Sequence, residues 1–240
     1  MKTLHAVLAL TMSAPAPLVG QARTESLAVD ARLLRTKTDS LAVFLIRGED
    51  TIRTGTVVDE LRSNESQLVR VYSTTDRVLG DRLDTIVSSF KDLRPVAYRT
   101  ISASQIARIS FEGRSVSGWL RLPNGDSTTV YTELPDVVYD ATTFDLLARA
   151  SPLADGFTLT VPSFLIGPNT VTALTGSVAG SEPVDGRACW VFKANFAGMP
   201  VTFWIDKETR DLRQQLMQFR ADMAVLFRRA RGVPIGERAT

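Results

Sequence analysis

The stretch that decides the fold is RACWVFKANFAGMPVTFWIDKETRDLRQQLMQFRADMAVLF, residues Arg187 to Phe227. Its first ten residues alternate, so that Trp190, Phe192 and Phe196 fall on one side and polar side chains such as Lys193 fall on the other. A period of two residues is typical of a β-strand with one buried face. The segment therefore predicts a strand whose buried face is rich in aromatic side chains.

The rest of this stretch predicts further antiparallel strands separated by tight turns. Residues 197–199 can turn the chain, and the next strand carries Phe203 on one face and Trp204 on the other. Residues 206–210 predict the following turn because charged and hydroxyl side chains replace the apolar ones. Strands at Leu212 to Phe219 and Met223 to Phe227 would complete a meander.

The middle of the chain is almost continuously strand-like. The runs with strand character are Ser40 to Arg47, Thr51 to Leu61, Gln67 to Ser73, Asp84 to Phe90, Val96 to Thr100, Gln105 to Phe111, Ser115 to Leu122, Ser127 to Thr132, Gly156 to Val161 and Thr170 to Val178. Asn124-Gly125-Asp126 predicts a hairpin because Asn and Gly accept the positive φ of tight turns. The sequence thus predicts a mainly β protein with roughly a dozen strands in one large antiparallel sheet.

One segment predicts a short helix. In residues 140–150 the spacing puts Phe144, Leu147 and Ala148 on one helical face. Asp140 or Thr142 can cap the start, and Pro152 ends the segment. A large sheet must bury one face, and a strongly curved sheet can do so around its own interior. We therefore expect a curved, half-barrel-like sheet with this helix as a lid or plug.

The N-terminus resembles an export signal. Lys2 provides a positive start, Leu4 to Met12 form a short apolar core, and a small-residue cleavage site ends at Ala22. The apolar run is shorter than the roughly 20 residues of a membrane span, and no later segment is apolar enough to span a bilayer. The expected organisation is a signal peptide at 1–22 and a single β domain at 23–240, which is periplasmic or secreted after cleavage.

The composition excludes several kinds of chemistry. His5 is the only histidine and lies in the predicted signal, and Cys189 is the only cysteine. Nucleophilic triads need an imidazole and zinc sites need several His or Cys ligands, so neither is expected, nor is any metal or cofactor. The 28 basic and 26 acidic residues are scattered, which argues against a nucleic-acid-binding surface. The cluster of Arg228, Arg229 and Arg231 is interpreted as a solvated tail.

The strand-and-turn patterns resemble known families. Trp190-Val191-Phe192, Gly198 and Phe203-Trp204-Ile205-Asp206 resemble the outer-membrane lipoprotein carrier proteins and their half-barrel relatives. An uncharacterised exported β-domain family grouped near those carriers is similar in four segments: Leu93 to Pro95, Asp136 to Asp140, Phe144 to Leu147 and Ser151 to Leu153. The resemblance implies a curved sheet whose interior accepts acyl chains or another hydrophobic envelope component. The chain lacks the longer helices that close the carrier proteins.

Three functional hypotheses follow. The first is a non-catalytic periplasmic binding or carrier-like protein for a lipid or acyl chain, with these residues as candidate lining: Trp190, Phe192, Phe196, Phe203, Trp204, Phe144 and Leu147. The competing interpretation is that these side chains are ordinary core. The second hypothesis is a hydrolase that uses two carboxylates from the following set: Asp136, Asp140, Asp145, Asp185 and Asp206. The third is a structural or interaction module that recruits another envelope protein through a sheet edge.

Overall fold

A computed structural model describes residues 27–134, 136–166 and 168–229. The predicted signal peptide and its cleavage site lie outside the described residues. The described part is mainly β, with one open, curved sheet of fifteen strands and a single short α-helix. This confirms the predicted fold class.

The fifteen strands cover most of the described chain. Their bounds are β1 (Lys37–Arg47), β2 (Asp50–Ser63), β3 (Gln67–Asp76), β4 (Arg82–Ser89), β5 (Pro95–Ser102), β6 (Ile106–Glu112), β7 (Ser115–Arg121), β8 (Ser127–Glu133), β9 (Tyr139–Asp140), β10 (Thr158–Leu165), β11 (Thr170–Val184), β12 (Arg187–Phe196), β13 (Met199–Asp206), β14 (Leu212–Arg220) and β15 (Met223–Arg229).

The sheet consists of two meanders that are joined at its centre. Strands β1 to β8 follow one another outward to one edge, and β15 back to β9 follow one another to the other edge. The first and last strands, β1 and β15, pair antiparallel in the middle, with Val43 opposite Phe227. Neighbouring strands are antiparallel except β9 and β10, which are parallel.

The sheet curves until its two outer parts touch, but it does not close into a barrel. Phe111 on β6 and Phe164 on β10 meet edge to face with ring centroids 6.0 Å apart. The Thr132 hydroxyl on β8 donates to Asn169 at 3.1 Å. Breaks in the strand register, for example between Val43 and Phe44, are the kind of irregularity that bends strands.

The helix α1 (Phe144–Ala150) lies on the concave face of the sheet as a buried plug. All seven of its residues are buried. A 3-10 turn precedes it, and Asp140 caps that turn by accepting from the backbone N–H of Thr142 at 2.9 Å. At the other end, the N–H of Asp30 donates to the carbonyl of Ala150, so the N-terminal segment covers this end of the helix. The predicted helix is therefore present, although it is shorter than the pattern suggested.

The hairpin at Asn124 to Asp126 joins β7 and β8, and Gly125 adopts φ +90°. The two-residue strand β9 was not predicted, because a strand of that length carries no periodic signal. The interpretation of Arg228 and Arg229 as a solvated tail is wrong: both lie in β15, where Arg228 pairs with Asp185 at 2.8 Å.

Arg229 belongs to a compact ring of charges at the centre of the sheet. It pairs with Asp211 at 3.0 Å and also with Asp39, and Lys37 pairs with the same two carboxylates. Burial raises the pKa of Asp211, but the neighbouring Lys37 and Arg229 outweigh it and hold that pKa below its usual value. The ring fastens β1 and β15 to the turn that leads into β14.

Candidate functional site

The concave face of the sheet and the start of α1 enclose a cavity of about 340 Å³. This volume lies near the lower end of the range for small-molecule sites. Strands from both meanders supply its walls, so the cavity straddles the central β1–β15 junction. Its apolar lining consists of Leu79, Ile86, Ala141, Phe144, Phe196, Phe203, Met217, Phe219, Val225 and Phe227.

The cavity has a buried end and an exposed end. At one end it meets the helix residue Phe144, which is 1 % exposed. At the other end it is lined by Leu79, in the turn between β3 and β4, and by Phe219 near the end of β14. These two apolar side chains are 43 % and 42 % exposed. The cavity therefore reaches solvent between hairpin tips whose side chains are apolar.

An aromatic wall separates the cavity from the protein core. Phe196 stands edge to face on Phe144, with ring centroids 5.2 Å apart, and lies 6.3 Å from Phe203. Behind them Phe192 is fully buried, with its ring 6.5 Å from that of Phe203. Ring pairs at these separations stabilise each other beyond their burial, so the wall is a fixed surface.

The structure brings only part of the predicted lining to the cavity. Phe144, Phe196 and Phe203 line it. Phe192 and Leu147 lie deeper and are wholly buried in the core cluster. The two tryptophans do not line the cavity.

Each tryptophan has a different surrounding. Trp190 is partly buried against the core, and Lys207 Nζ lies 3.7 Å from the centre of its ring. Trp204 lies on the opposite face of β13 from Phe203, where its indole N–H donates to Glu182 at 2.9 Å. Strand alternation correctly predicted that Phe203 and Trp204 lie on opposite faces of β13. It carries no information on where along the sheet the cavity lies.

The polar wall of the cavity contains a buried arginine shared by two carboxylates. Arg70 on β3 donates to Asp59 on β2 with two bonds, at 2.8 and 2.7 Å. It also donates to Asp145 on α1, at 2.7 and 3.2 Å. Burial disfavours the charge of Arg70, but the two carboxylates outweigh this and keep its pKa well above the ordinary value. Burial likewise raises the pKa of Asp59, yet Arg70 holds it below its usual range.

A second cluster of charged side chains, centred on Arg82, also belongs to the polar wall. Arg82 pairs with Asp84 at 2.8 Å, and its Nη2 donates to the Tyr98 hydroxyl at 2.6 Å. That hydroxyl donates in turn to Asp84 at 3.1 Å. Burial raises the pKa of Tyr98, and the neighbouring Asp84 adds to the effect, so the phenol keeps its proton.

Asp140, just before the 3-10 turn that leads into α1, is a buried carboxyl whose ionised form is disfavoured. It is 1 % exposed, and its Oδ2 has no hydrogen-bond partner among the described residues. Burial raises its pKa to about 6, against the opposing hydrogen bonds of Thr142 and with a further rise from the nearby Asp84. A raised carboxyl pKa can mark a functional group, but it also accompanies purely structural burial.

The carboxylates considered for hydrolysis are not gathered in one cleft. Asp145 lines the cavity but is held by Arg70. Asp206 accepts from the turn amides after β13 and pairs with Arg187, and Asp185 pairs with Arg228. Asp136 is exposed, and Asp140 caps the turn before the helix. Of these five carboxylates, only Asp145 lines the cavity.

The lone cysteine is a buried core residue of β12. Cys189 is wholly buried in β12, and burial raises the pKa of its thiol. Within residues 27–134, 136–166 and 168–229, no cluster of three or more His, Cys, Asp or Glu is placed to hold a metal ion. In the same ranges, no helix has the length and apolar character needed to cross a membrane.

The charged wall was missed by the sequence reasoning, although a signal existed. Alternation in β3 puts Arg70 on the same face as the buried Leu68, and alternation in β2 puts Asp59 on the same face as the buried Leu61. Opposite charges at inward positions of adjacent strands predict a buried pair. The predicted strands rested on the alternation of apolar side chains, and a charged residue at an inward position is not part of that pattern.

Fold and site together define a class: an open, strongly curved antiparallel sheet with a helical plug and a mixed aromatic and charged cavity. Residues 40–225 match the family model DUF3108, which is described as a protein of unknown function. The chain therefore belongs to this family. The match agrees with the resemblance to an uncharacterised family but gives no support to the resemblance to lipoprotein carrier proteins. A search of curated proteins found no match.

Proposed function

We propose that this protein is a non-catalytic binding or carrier-like protein for a hydrophobic component of the cell envelope, such as a lipid or an acyl chain. The observation that carries the proposal is the cavity of about 340 Å³, lined by Phe196 and Phe203 and entered between apolar hairpin tips. Apolar cavities of this size with a few polar groups are typical ligand sites. The resemblance to half-barrel carriers, based on the strands around Trp190 and Phe203, points to the same class of ligand.

Location is part of the proposal. The signal-like segment at 1–22 would direct the chain to the periplasm or beyond, where an envelope lipid would be available. A carrier in that compartment needs a cavity that shields an acyl chain from water. The concave face of the sheet meets this need because its central strands carry buried apolar side chains such as Val43 and Val225.

Two measurements test binding. The protein, expressed with its signal segment, is examined by native mass spectrometry for co-purified lipid. The neutral fluorescent probe N-phenyl-1-naphthylamine is then titrated into lipid-free protein, and displacement by long-chain alcohols, esters and acids is followed. We expect a probe signal that saturates and is displaced by at least one of these compounds. No bound lipid together with no displaceable probe would overturn the proposal.

A matched pair of substitutions assigns the binding to the cavity. Val225 lies on the inner face of β15 and lines the cavity, whereas Leu226 points to the outer face. Val225→Trp should fill part of the cavity and weaken probe binding at least about tenfold, because the lost space is the binding site. Leu226→Trp adds the same ring on the outer face and should leave binding unchanged. Circular dichroism of both variants checks that the sheet is intact.

A second candidate function is recruitment of another envelope protein by strand addition. One observation favours it: β8 is an outer strand of the sheet, and the exposed Tyr131 and Trp119 lie beside this edge. An exposed strand edge can pair with an extended segment of a partner. Thr129 lies near the middle of β8 at a position whose N–H faces away from β7, so Thr129→Pro removes a backbone donor from the free edge. It should abolish capture of a partner from an envelope extract if this function holds.

A further inference from the structure

We propose that the cavity prefers ligands whose polar end is uncharged, such as a long-chain alcohol or an ester, over the carboxylate of the same chain length. This inference rests on the proposed function, because it names the chemical class of ligand for the same cavity. The geometry points to this preference because the charged side chains of the cavity wall are already paired with one another.

Charged side chains on the cavity wall balance one another. The lining contains two arginines, Arg70 and Arg82, and two carboxylates, Asp84 and Asp145. Each arginine has a partner in the same wall, since Arg70 lies 2.7 Å from Asp145 and Arg82 lies 2.8 Å from Asp84. The wall therefore has no net charge.

Arg70 has no donor left for a new anion, because Asp59 and Asp145 accept hydrogen bonds from all three of its nitrogens. Arg82 keeps some free N–H donors, but its charge is already balanced by Asp84, and it also donates to the Tyr98 hydroxyl. Sites that bind carboxylates or phosphates normally offer a guanidinium whose donors are free to grip the anion. A ligand carboxylate would here lie beside Asp84 and Asp145 without an unpaired cation, which makes its transfer from water costly.

An uncharged polar group fits the same wall without this cost. The wall includes the Thr74 hydroxyl and the Gln215 amide, which are neutral hydrogen-bonding groups on opposite meanders of the sheet. A ligand hydroxyl can donate to a carboxylate such as Asp84, and an ester carbonyl can accept from the amide of Gln215. Neither contact requires a charge to leave water unpaired.

The test compares head groups on one chain length. Lipid-free protein is loaded with N-phenyl-1-naphthylamine at about pH 8, where the free acid is ionised, and displaced by an alcohol, its ester and its carboxylate below their micelle-forming concentrations. We expect the alcohol and the ester to displace the probe at concentrations at least about tenfold below the carboxylate, which reflects the cost of an unpaired buried anion. This comparison uses the unmodified protein, so it does not depend on any variant folding.

One substitution tests whether the pairing of charges on the wall is the reason for the preference. Asp84→Asn keeps the shape of the side chain but leaves Arg82 without its partner. The affinity for the carboxylate ligand should therefore rise about tenfold relative to the affinity for the alcohol. Asp92→Asn is the matched control, because Asp92 pairs with Arg94 at 3.2 Å in the turn between β4 and β5 and does not line the cavity. It should leave the preference as it is in the unmodified protein.

The outcomes separate the two proposals. If the carboxylate displaces the probe as well as the alcohol does, the preference for neutral head groups is wrong, while lipid binding stands. If Asp84→Asn folds and does not change the preference, the charge-pairing explanation is wrong. If none of the compounds displaces the probe, lipid binding itself fails.

Discussion

The guanidinium of Arg70 on β3 donates to Asp145 on α1 at 2.7 Å, and this buried ion pair ties the helical plug to the sheet. The same arginine also donates two hydrogen bonds to Asp59 on β2. A single side chain thus fixes the position of the plug and one wall of the cavity. The helix is too short to be stable alone, so its position depends on such contacts.

Arg70→Met should therefore destabilise the protein strongly. Removal of the guanidinium leaves Asp59 and Asp145 buried without their shared cation, which costs about 3–5 kcal/mol of the free energy of unfolding. Urea unfolding followed by circular dichroism measures this. Arg62→Met, which removes an exposed pair with Glu60, is the control and should have no measurable effect. An equal loss in both variants would show that the buried pair has no special role.

Asp140 should make stability depend on pH in a defined direction. Its pKa is about 6 in the folded protein and near 3.8 when the side chain is free, so the folded state binds a proton that the unfolded state releases. The stabilisation that this bound proton gives the folded state is fully present below about pH 4. It is lost as the pH rises through about 6, a change of about 3 kcal/mol in the free energy of unfolding.

Asp140→Asn isolates this contribution, because the other carboxylates titrate alike in both proteins. The amide oxygen can still accept from the N–H of Thr142, so the cap is kept. Urea unfolding at several pH values should show the unmodified protein gaining stability relative to the variant as the pH falls from about 7 to 4. A difference between the two proteins that stays constant across this range would contradict the assignment.

Gly176→Ala should disturb the core behind the aromatic wall. A Cβ at Gly176 would lie 2.4 Å from Cε1 of Phe192 on the neighbouring strand. Phe192 is fully buried under α1, so its ring cannot move aside freely, and we expect a loss of about 1–3 kcal/mol in the free energy of unfolding. Ser177→Ala, one residue along β11, is the control. If Gly176→Ala unfolds at the same urea concentration as the unmodified protein, the Phe192 ring does not pack closely on this glycine.

Much of the fold could be predicted because strands and turns leave local signals. The alternation around Phe192 and Phe203, and the hairpin at Asn124 to Asp126, gave the strands and their inner faces. The sequence also indicated the helix near Phe144. Strand order could not be predicted, because the pairing of β1 with β15 joins residues that are far apart in the chain and has no local signal.

The candidate site could be predicted only in part for a similar reason. The aromatic wall of Phe144, Phe196 and Phe203 followed from inward-facing positions, but the depth of each side chain depends on where the helix sits. Arg70 and Asp145, which hold that helix, come from distant parts of the chain. Such long-range pairs become visible only when the sheet is folded.

The central claim is that an acyl chain occupies the cavity beside Phe196. Phe196→Trp places a fluorescent ring in the wall, whereas none of the three native tryptophans, Trp119, Trp190 and Trp204, lines the cavity. We predict that a dibrominated long-chain alcohol, but not its unbrominated counterpart, quenches the fluorescence of this variant far more than that of the unmodified protein. Equal quenching in both proteins would contradict the claim that the chain lies in this cavity.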